Sequence, residues 1–364
     1  MKSKFILLCL FIFFLSGVQT ASASYHFSNY HGRNPIHIYK KNTGTPKGIS
    51  PDIIKSIYNL PKSGGHGTIA IIGAYDDNTI ENDLDVFGKT FNLPECTTKN
   101  GCFEKHLINS GTKTNSGWNM ETTLDIEWAH AIAPNAKILL VSAKTPSGAN
   151  LLKAVDYATS RNDVIAISMS FGGAEFPEEA NLDSHFKSKS GAIFFASSGD
   201  NGWGASWPAS SPNVVSVGGT SLSLKASGAL ASESAWSGSG GGVSAYESEP
   251  NYQKDYSIPK SSGMRAIPDV SYNADPKSGF SIYTKGKWYV VGGTSAGAPQ
   301  WAAIQSLGLS VKNEKLYADK SSDSFANFFR DIISGSNGDC KYYCDARKHY
   351  DYITGLGSPL TVNF

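Results

Sequence analysis

VVGGTSAGAPQWAAI, residues 290 to 304, joins a predicted strand to a predicted helix through two glycines. Ser295 stands at the turn, where a side chain can be projected into solvent beside a helix N-terminus. There the backbone N–H groups and the helix dipole favour developing negative charge. Pro299 suits the first turn of the helix, because its missing N–H costs little there. The segment indicates either a nucleophile at a strand-to-helix turn or a tight glycine turn that packs a helix on a sheet.

Apolar segments elsewhere in the chain alternate between strands and helices. The predicted strands are 68–77, 136–143, 163–171, 192–198 and 214–222, and the predicted helices are 49–61, 83–91, 117–133, 149–160 and 178–189. Near-continuous Val, Ile and Ala in the strands favours a parallel sheet with helices on both faces. Residues 226–290 are rich in Gly and Ser, which predicts long surface loops with short strands. The expected fold class is α/β, a mostly parallel twisted sheet in one domain from about 49 to 364.

The N-terminus has the three regions of a secretory signal peptide, which we place at residues 1–23. Lys2 and Lys4 precede an apolar run, and a small A-x-A pattern ends at Ala23. The apolar run is too short to span a bilayer, which argues against a membrane anchor. Removal of the two lysines changes the formal charge from +1 to −1. A formal charge so close to zero gives no electrostatic reason to expect nucleic acid or an anionic membrane as a partner. From the signal peptide we expect a secreted protein, extracellular or periplasmic.

Four cysteines follow the signal segment, at 96, 102, 340 and 344. An even number in a secreted chain is typical of disulfides, and short loops favour the local pairs Cys96–Cys102 and Cys340–Cys344. A zinc site is the rival interpretation. It is disfavoured because no histidine pair keeps zinc-ligand spacing with these cysteines.

Two acids lie four residues apart in METTLDIEWAHAIAP, a segment predicted to be helical. On a helix this spacing puts Glu121 and Asp125 on one face, about 6 Å apart, and such proximity raises one of the two pKa values. Acid pairs with this spacing also occur on ordinary solvated helices. The residues around this pair are instead apolar: Leu124, Ile126, Trp128 and Ala129. Glu127 is a spare acid whose offset turns it away from Glu121.

Two further predicted strand ends carry polar groups. Asp200 follows an apolar strand in FFASSGDNGWG, and SMSFGG, residues 168–173, ends another strand. In parallel sheets, functional groups gather at the carboxyl ends of strands. Asp200 can equally be a plain turn residue. The glycines of 168–173 would let a substrate strand lie alongside.

Together these segments resemble the sedolisin family of serine-carboxyl peptidases, in the subtilisin-like clan, over essentially all of 49–364. The matching strings are E-x-x-x-D, S-x-G-D-x-G, G-T-S-A, PASSPNVVSVGGT, GGGVS, PDVSYNADP and YITGLGSP. The resemblance implies a subtilisin-like fold with Glu121 as general base, Asp125 as its partner and Ser295 as nucleophile. It implies Asp200 as the acid that stabilises the oxyanion. The expected activity is hydrolysis of polypeptides at acid pH through an acyl-enzyme.

The resemblance also implies one structural calcium ion near the C-terminus. The expected ligands are Asp331, Ile332, Arg347, His349 and Asp351. The two carboxylates, with backbone carbonyls and water, make a hard oxygen cage that suits Ca²⁺ rather than zinc. The family has glycines in place of Arg347 and His349, and Trp in place of Tyr350.

Residues 24–48 are polar and aperiodic, which predicts an extended arm. Members of the family are generally made with a folded propeptide domain between signal and catalytic domain, whereas here only this arm precedes residue 49. Either the enzyme folds without such a domain or the arm is a minimal inhibitor. Phe171 also departs from the Trp that many members carry, so substrate packing is expected to differ. We expect a monomer.

Three other functions compete with this interpretation. A subtilase with an Asp-His-Ser triad would use His66 and Asp76, but His66 precedes the strand that carries Asp76, the reverse of the subtilase order. A zinc peptidase would need H-E-x-x-H, and His130 has no partner at that spacing. A non-catalytic binding protein on the same scaffold is disfavoured, because all four catalytic positions hold competent residues.

Overall fold

A computed structural model describes residues 26–42, 44–318 and 327–360 of the chain. The signal peptide predicted at 1–23 lies outside these residues. Among the helices that the structure describes, none combines the length and apolar character needed to cross a bilayer. The strands are β1 His37–Asn42, β2 Thr68–Ala74, β3 Phe103–Leu107, β4 Lys137–Ala143, β5 Val164–Met169, β6 Ile193–Ser197, β7 Val214–Leu224, β8 Leu230–Ala235, β9 Gly242–Ser248, β10 Met264–Ile267, β11 Val270–Asn273, β12 Phe280–Thr284, β13 Lys287–Gly292, β14 Phe329–Arg330 and β15 Ser358–Pro359. The α-helices are α1 Pro51–Ile57, α2 Ile80–Thr90, α3 Ser116–Ile132, α4 Gly148–Ser160, α5 Asn251–Tyr256, α6 Gly297–Ser306 and α7 Asn313–Leu316.

The central sheet has the strand order β11-β7-β6-β5-β2-β4-β3, and β8 adds to the outer side of β7. Neighbours along this order run parallel, and only β8 is antiparallel. The prediction of a mostly parallel α/β sheet in a single domain is confirmed. Because β2 lies between β4 and β5, successive strands are added on opposite sides of β2. In α/β sheets a crevice forms at the carboxyl ends of the strands near such a point.

Both faces of this sheet are covered, which explains the near-continuous apolar strands. All seven residues of β2 are buried. Ile69 and Ile71 pack into one core with α3 and α6, whereas Ala70 and Ile72 pack into the second core with α4. Alternate side chains of one strand therefore enter different cores, and both sets have to be apolar.

The short strands predicted within 226–290 are present, but two of them are buried rather than part of the surface. β11 closes one side of the central sheet, and β12 pairs antiparallel with β13. Both strands are largely buried although they carry Ser271, Asn273 and Ser281, each 0 % exposed. These polar side chains broke the apolar pattern that the sequence analysis relied on. β3 was missed within the polar loop before 116 for the same reason, and 178–189 contains a 3₁₀ helix, Glu179–Phe186, rather than an α-helix.

The N-terminal arm is extended, as predicted, and it packs against the body of the protein. A 3₁₀ turn at Phe27–Asn29 leads into residues that run across the carboxyl edge of the central sheet. β1 then pairs antiparallel with β13 in a second sheet of order β1-β13-β12. The predicted disulfides Cys96–Cys102 and Cys340–Cys344 are both present, which contradicts the zinc interpretation of these cysteines.

Candidate active site

Ser295 lies in a 3₁₀ turn, Thr294–Ala296, between β13 and α6, as the sequence predicted. Gly293 precedes the turn with a φ of 134°, which disfavours any side chain. A methyl group at Gly293 would overlap the Pro35 carbonyl oxygen and lie 2.6 Å from Oδ2 of Asp200. The glycine therefore leaves room for a carbonyl group beside the turn. Ser295 itself is 0 % exposed rather than projected into solvent, since the arm covers it.

Glu121 and Asp125 project from α3, whose N-terminus is capped by Asn115. The Asn115 side chain accepts hydrogen bonds from the N–H groups of Gly117 and Trp118. From Glu121 to Ile132 the helix is buried on all sides, because α2, α6 and the sheet enclose it. A solvated acidic face is therefore excluded for Glu121 and Asp125, each 1 % exposed.

The two carboxyl groups form a coupled pair. Burial raises the pKa of Glu121 well above its usual range, the Asp125 charge raises it further, and the Ser295 hydroxyl opposes the rise. Burial also raises the pKa of Asp125, against the hydrogen bond from Ser170. The pair therefore holds a proton over a wide pH range, and its titration belongs to both groups together.

Ser170 is a member of the site that the sequence analysis did not single out. Its Oγ lies 2.7 Å from Oδ1 of Asp125 and 3.2 Å from the carbonyl oxygen of Ser295. It follows directly after β5, at the carboxyl edge of the sheet, and it is buried. The sequence signal that could have identified Ser170 was its place at a strand end inside SMSFGG. That segment was interpreted only as a surface along which a substrate strand could lie.

Asp200 follows β6 and faces the same turn. Its Oδ1 accepts hydrogen bonds from the N–H of Thr294 at 2.8 Å and from the Thr294 hydroxyl at 2.7 Å. Its Oδ2 lies 3.0 Å from Nε2 of His37, which belongs to the arm. Burial raises the pKa of Asp200, while His37 and Thr294 oppose the rise; the Asp200 carboxylate in turn raises the pKa of His37. Thr294 and His37 are two further contacts that the sequence did not predict.

The structure thus brings Glu121, Asp125, Asp200 and Ser295 to one place, at the carboxyl edge of β5 and β6. Glu121 and Asp125 lie one turn apart on α3, and Asp200 accepts hydrogen bonds from Thr294, the residue before Ser295. Ser170 links Asp125 to the turn that carries Ser295. These four groups come from three segments of the chain, because Glu121 and Asp125 both belong to α3.

The residues of the rival mechanisms lie elsewhere. His66 is exposed and precedes β2, so it lies at the amino edge of the sheet, opposite Ser295. Asp76 forms an ion pair with Lys105 at 2.8 Å, and His130 contacts the Pro94 carbonyl at 2.9 Å. Glu127 is buried but turned away, as predicted, and accepts hydrogen bonds from the Tyr283 N–H. A triad of Asp76, His66 and Ser295 is therefore excluded by geometry.

The predicted calcium ligands come together in one C-terminal loop. Both oxygens of Asp331 accept from the His349 N–H, at 3.1 and 3.0 Å, and Asp351 accepts from the Arg347 N–H at 3.2 Å. Ile332 is buried beside Asp331. Asp351 also caps its own turn through the N–H groups of Ile353 and Thr354. The two carboxylates would supply the hard oxygen ligands that a cation such as Ca²⁺ prefers.

The parallel sheet, with Ser295 at a strand-to-helix turn and acids beside it, defines a subtilisin-like protein. The sequence profile of the subtilase family matches residues 55–325. Sedolisin of Pseudomonas sp. (strain 101) is 28% identical over 86% of this chain, and kumamolisin of Bacillus sp. (strain MN-32) is 30% identical over 89%. This chain belongs to the subtilase family, in its sedolisin branch.

A solved structure supports the same assignment. The structure of Pseudomonas sedolisin, a serine-carboxyl proteinase complexed with two molecules of pseudo-iodotyrostatin, superposes with a TM-score of 0.73 at 28% identity. The match covers 87% of this chain and 96% of that one. The chain spans 60% of the length of the curated sedolisin and 64% of that of kumamolisin.

Proposed function

We propose that this protein is a secreted serine-carboxyl endopeptidase that hydrolyses peptide bonds of polypeptides at acid pH. The observation that carries the proposal is the convergence of Ser295, the Glu121–Asp125 pair and Asp200 at one edge of the sheet. The relatives named above, with a serine-carboxyl proteinase among them, support the same chemistry. The protein acts as a monomer in the extracellular or periplasmic space.

Ser295 is the nucleophile and Glu121 the general base. Oγ of Ser295 attacks the carbonyl carbon of the substrate and passes its proton to Glu121, and the bond to the leaving nitrogen then breaks as that nitrogen takes the proton. Water hydrolyses the acyl-enzyme by the same steps in reverse. Asp125 keeps the shared proton of the acid pair and is held by Ser170. Because like charges so close together disfavour double ionisation, one of the two acids stays protonated while the other accepts.

Asp200 stabilises the oxyanion. The Pro35 carbonyl oxygen lies beside Gly293 and near Oδ2 of Asp200, which supports this position as one that a substrate carbonyl oxygen would take. To donate a hydrogen bond there, Asp200 has to be protonated, and burial raises its pKa in that direction. A buried carboxylic acid as donor is a known device for stabilising negative charge in a transition state.

A structural calcium ion would be held by the carboxylates of Asp331 and Asp351 and by backbone oxygens of Ile332, Arg347 and His349. Bound there, the ion would neutralise two carboxylates and tie Asp331, next to β14, to the segment around Asp351.

The test is covalent labelling of Ser295 with a fluorophosphonate probe together with assays on a denatured protein substrate at pH 3 to 7. Ser295→Ala should lose both labelling and turnover, by several powers of ten in rate, because no acyl-enzyme can form. Glu121→Gln should lose most of the activity, because the amide cannot accept the proton.

Glu127→Gln is the matched control, since Glu127 is a buried acid on the same helix that only accepts backbone hydrogen bonds. It should retain turnover. A Ser295→Ala protein with near-full turnover would refute the assignment of the nucleophile. A wild-type protein that binds peptides but neither labels nor hydrolyses them would return the chain to the binding-protein interpretation.

A further inference from the structure

Residues 30–37 of the N-terminal arm, here called the arm segment, lie across the carboxyl edge of the central sheet as an extended strand. On one side the N–H of Gly32 donates to the Pro146 carbonyl oxygen at 2.8 Å. On the other side Arg33 and Gly172 exchange two antiparallel backbone hydrogen bonds, of 2.9 and 3.1 Å. An extended peptide bound by strand addition makes contacts of this kind, so the arm segment marks the course that a substrate strand would follow.

The position of Ser295 gives the register along this course. The Ser295 hydroxyl donates to the Pro35 carbonyl oxygen at 3.4 Å, and that oxygen lies beside Gly293. A substrate carbonyl that Ser295 attacks would therefore lie where the Pro35 carbonyl lies. Gly32, three residues before Pro35, then stands at the place of the fourth residue on the amino side of the scissile bond.

Side chains alternate in direction along the arm segment. Gly32 is buried, whereas its neighbours His31 and Arg33 are exposed. This is the alternation of an extended strand, in which every second side chain faces the surface beneath it. A side chain at the fourth position before the scissile bond would therefore point into the protein, and one at the third position would point to solvent.

The surface beneath Gly32 has no room for a side chain. A methyl group there would lie 2.7 Å from Cδ1 of Leu151 and 3.2 Å from Cδ2 of Phe171. Both distances are shorter than a favourable carbon–carbon contact, which is about 3.5–4.0 Å. The backbone of Gly32 does not have a positive φ angle. Lack of space, rather than backbone conformation, is therefore what disfavours any other residue at this position.

The two side chains that close this space are held by the core. Leu151, near the start of α4, is 0 % exposed, and Phe171, two residues after β5, is 2 % exposed. Both belong to the core that contains Ala70 and Ile72 of β2. Rotation of either side chain would disturb a close-packed interior. The strand above them is held as well, because backbone hydrogen bonds fix it on both sides.

We propose that Leu151 and Phe171 form a closed subsite that selects glycine as the fourth residue before the scissile bond. The inference rests on the proposed peptidase function and names its substrate class: extended polypeptide segments with glycine at that position. A methyl group displaces packed side chains, and a larger group pushes the strand off its hydrogen-bond partners. Because this moves the scissile carbonyl away from Ser295, the discrimination falls on the transition state.

The experiment first maps the bonds that the full secreted chain cleaves in a denatured protein at acid pH, by mass spectrometry. Peptides that span the fastest site are then made with glycine, alanine, leucine or phenylalanine at the fourth position and are digested as one mixture. In a mixture the ratio of kcat/KM values does not depend on the fraction of protein whose cleft is free. Glycine should exceed alanine by about tenfold, and leucine or phenylalanine by about 100-fold or more. The same changes at the third position should leave the rate nearly unchanged, because that side chain points to solvent.

Two variants open the subsite, Leu151→Ala and Phe171→Ala. Each should raise the rate on the leucine peptide, relative to the glycine peptide, by about tenfold or more. Leu152→Ala is the matched control and should keep the wild-type ratio, because Leu152 is also buried but lies farther from Gly32 than Leu151 does. The peptide series on the wild-type protein decides the question even where a variant does not fold.

Equal rates on the four peptides would overturn the glycine subsite and leave the peptidase proposal intact. A glycine preference that persists unchanged in both folded variants would also overturn it, because the preference would then arise elsewhere. Absence of any cleavage by the wild-type protein would refute the peptidase proposal, and the inference with it.

Discussion

The hydroxyl of Ser295 donates to the carbonyl oxygen of Pro35, 3.4 Å away, although the two residues are 260 positions apart in the chain. Both carboxylate oxygens of Glu121 are buried, and the Ser295 hydroxyl lies close enough to oppose the rise of the Glu121 pKa. The pH behaviour of the enzyme therefore depends on three groups: Glu121, Asp125 and Asp200.

Ser170→Ala should lower kcat and move the acidic limb of the pH–rate profile to higher pH. The hydroxyl contacts Asp125 at 2.7 Å and opposes the rise in its pKa. Its loss leaves a buried carboxylate oxygen unpaired, which costs about 1–3 kcal/mol. If that cost falls on the transition state, kcat should drop by roughly 5- to 150-fold. Ser168→Ala is the matched control, because the Ser168 hydroxyl is buried with no partner in the described ranges. An unshifted limb in Ser170→Ala would assign Ser170 a purely structural role.

The activity of the wild-type protein should follow a bell with its optimum at acid pH, because one carboxyl group has to be ionised while another stays protonated. Burial raises the pKa of Glu121 and of Asp200 alike, which moves both limbs of the bell upward from the range of ordinary carboxyl groups. The base has to be ionised, so activity falls at low pH. Asp200 has to be protonated, so activity falls again as the pH rises through its raised pKa. Asp200→Asn keeps a donor at every pH and should lose rate while it flattens the alkaline limb. An optimum at pH 8 with an active Glu121→Gln protein would contradict the carboxyl mechanism.

The folded protein should be most stable at acid pH. Burial, followed by the charge of Glu175, raises the pKa of Glu179 to about 9, and burial, followed by the charge of Asp183, raises that of Glu247 to about 8. In the unfolded chain these glutamates release their protons near pH 4.3. The folded state therefore binds more protons from about pH 4.5 upward, and stability falls as the pH rises through that window towards 8 to 9.

The measurement is thermal unfolding from pH 4 to 8 of wild type and of a Glu179→Gln, Glu247→Gln protein. The double variant should lose less stability over this range than wild type does, by about 2 °C or more in Tm. Glu95→Gln, an exposed acid, is the control and should leave the slope unchanged. A double variant with the wild-type slope would show that these two acids titrate alike in the folded and unfolded chain.

The sequence was sufficient where local patterns carry the chemistry. G-T-S-A gave the turn of Ser295, and the i, i+4 spacing placed Glu121 and Asp125 on one face of α3. The sequence was insufficient where long-range packing determines which residues come together. Nothing local indicates that Ser170 contacts Asp125. The sequence predicted an extended arm, or a minimal inhibitor, but not where it lies, because it pairs with loops more than 100 residues away. The burial of β11 and β12 was not predicted because their serines and asparagine interrupt the apolar pattern. The Ser281 hydroxyl, for example, accepts a hydrogen bond from the N–H of Gly48, 233 positions away.

Calcium should raise the Tm of the wild-type protein by about 5 °C or more at saturating concentration, and a chelator should remove that gain. An ion that binds only the folded loop adds stability through linkage, and the loop joins Asp331, next to β14, to the segment before β15. In Asp331→Ala the calcium-dependent rise should vanish, whereas the exposed neighbour Asp345→Ala should keep it. Because the comparison is made with and without calcium for each protein, loss of the Asp331–His349 hydrogen bond cancels out. Metal analysis of the purified protein gives the independent readout, with one calcium per chain expected. A Tm indifferent to calcium, in a protein that contains none, would eliminate the site.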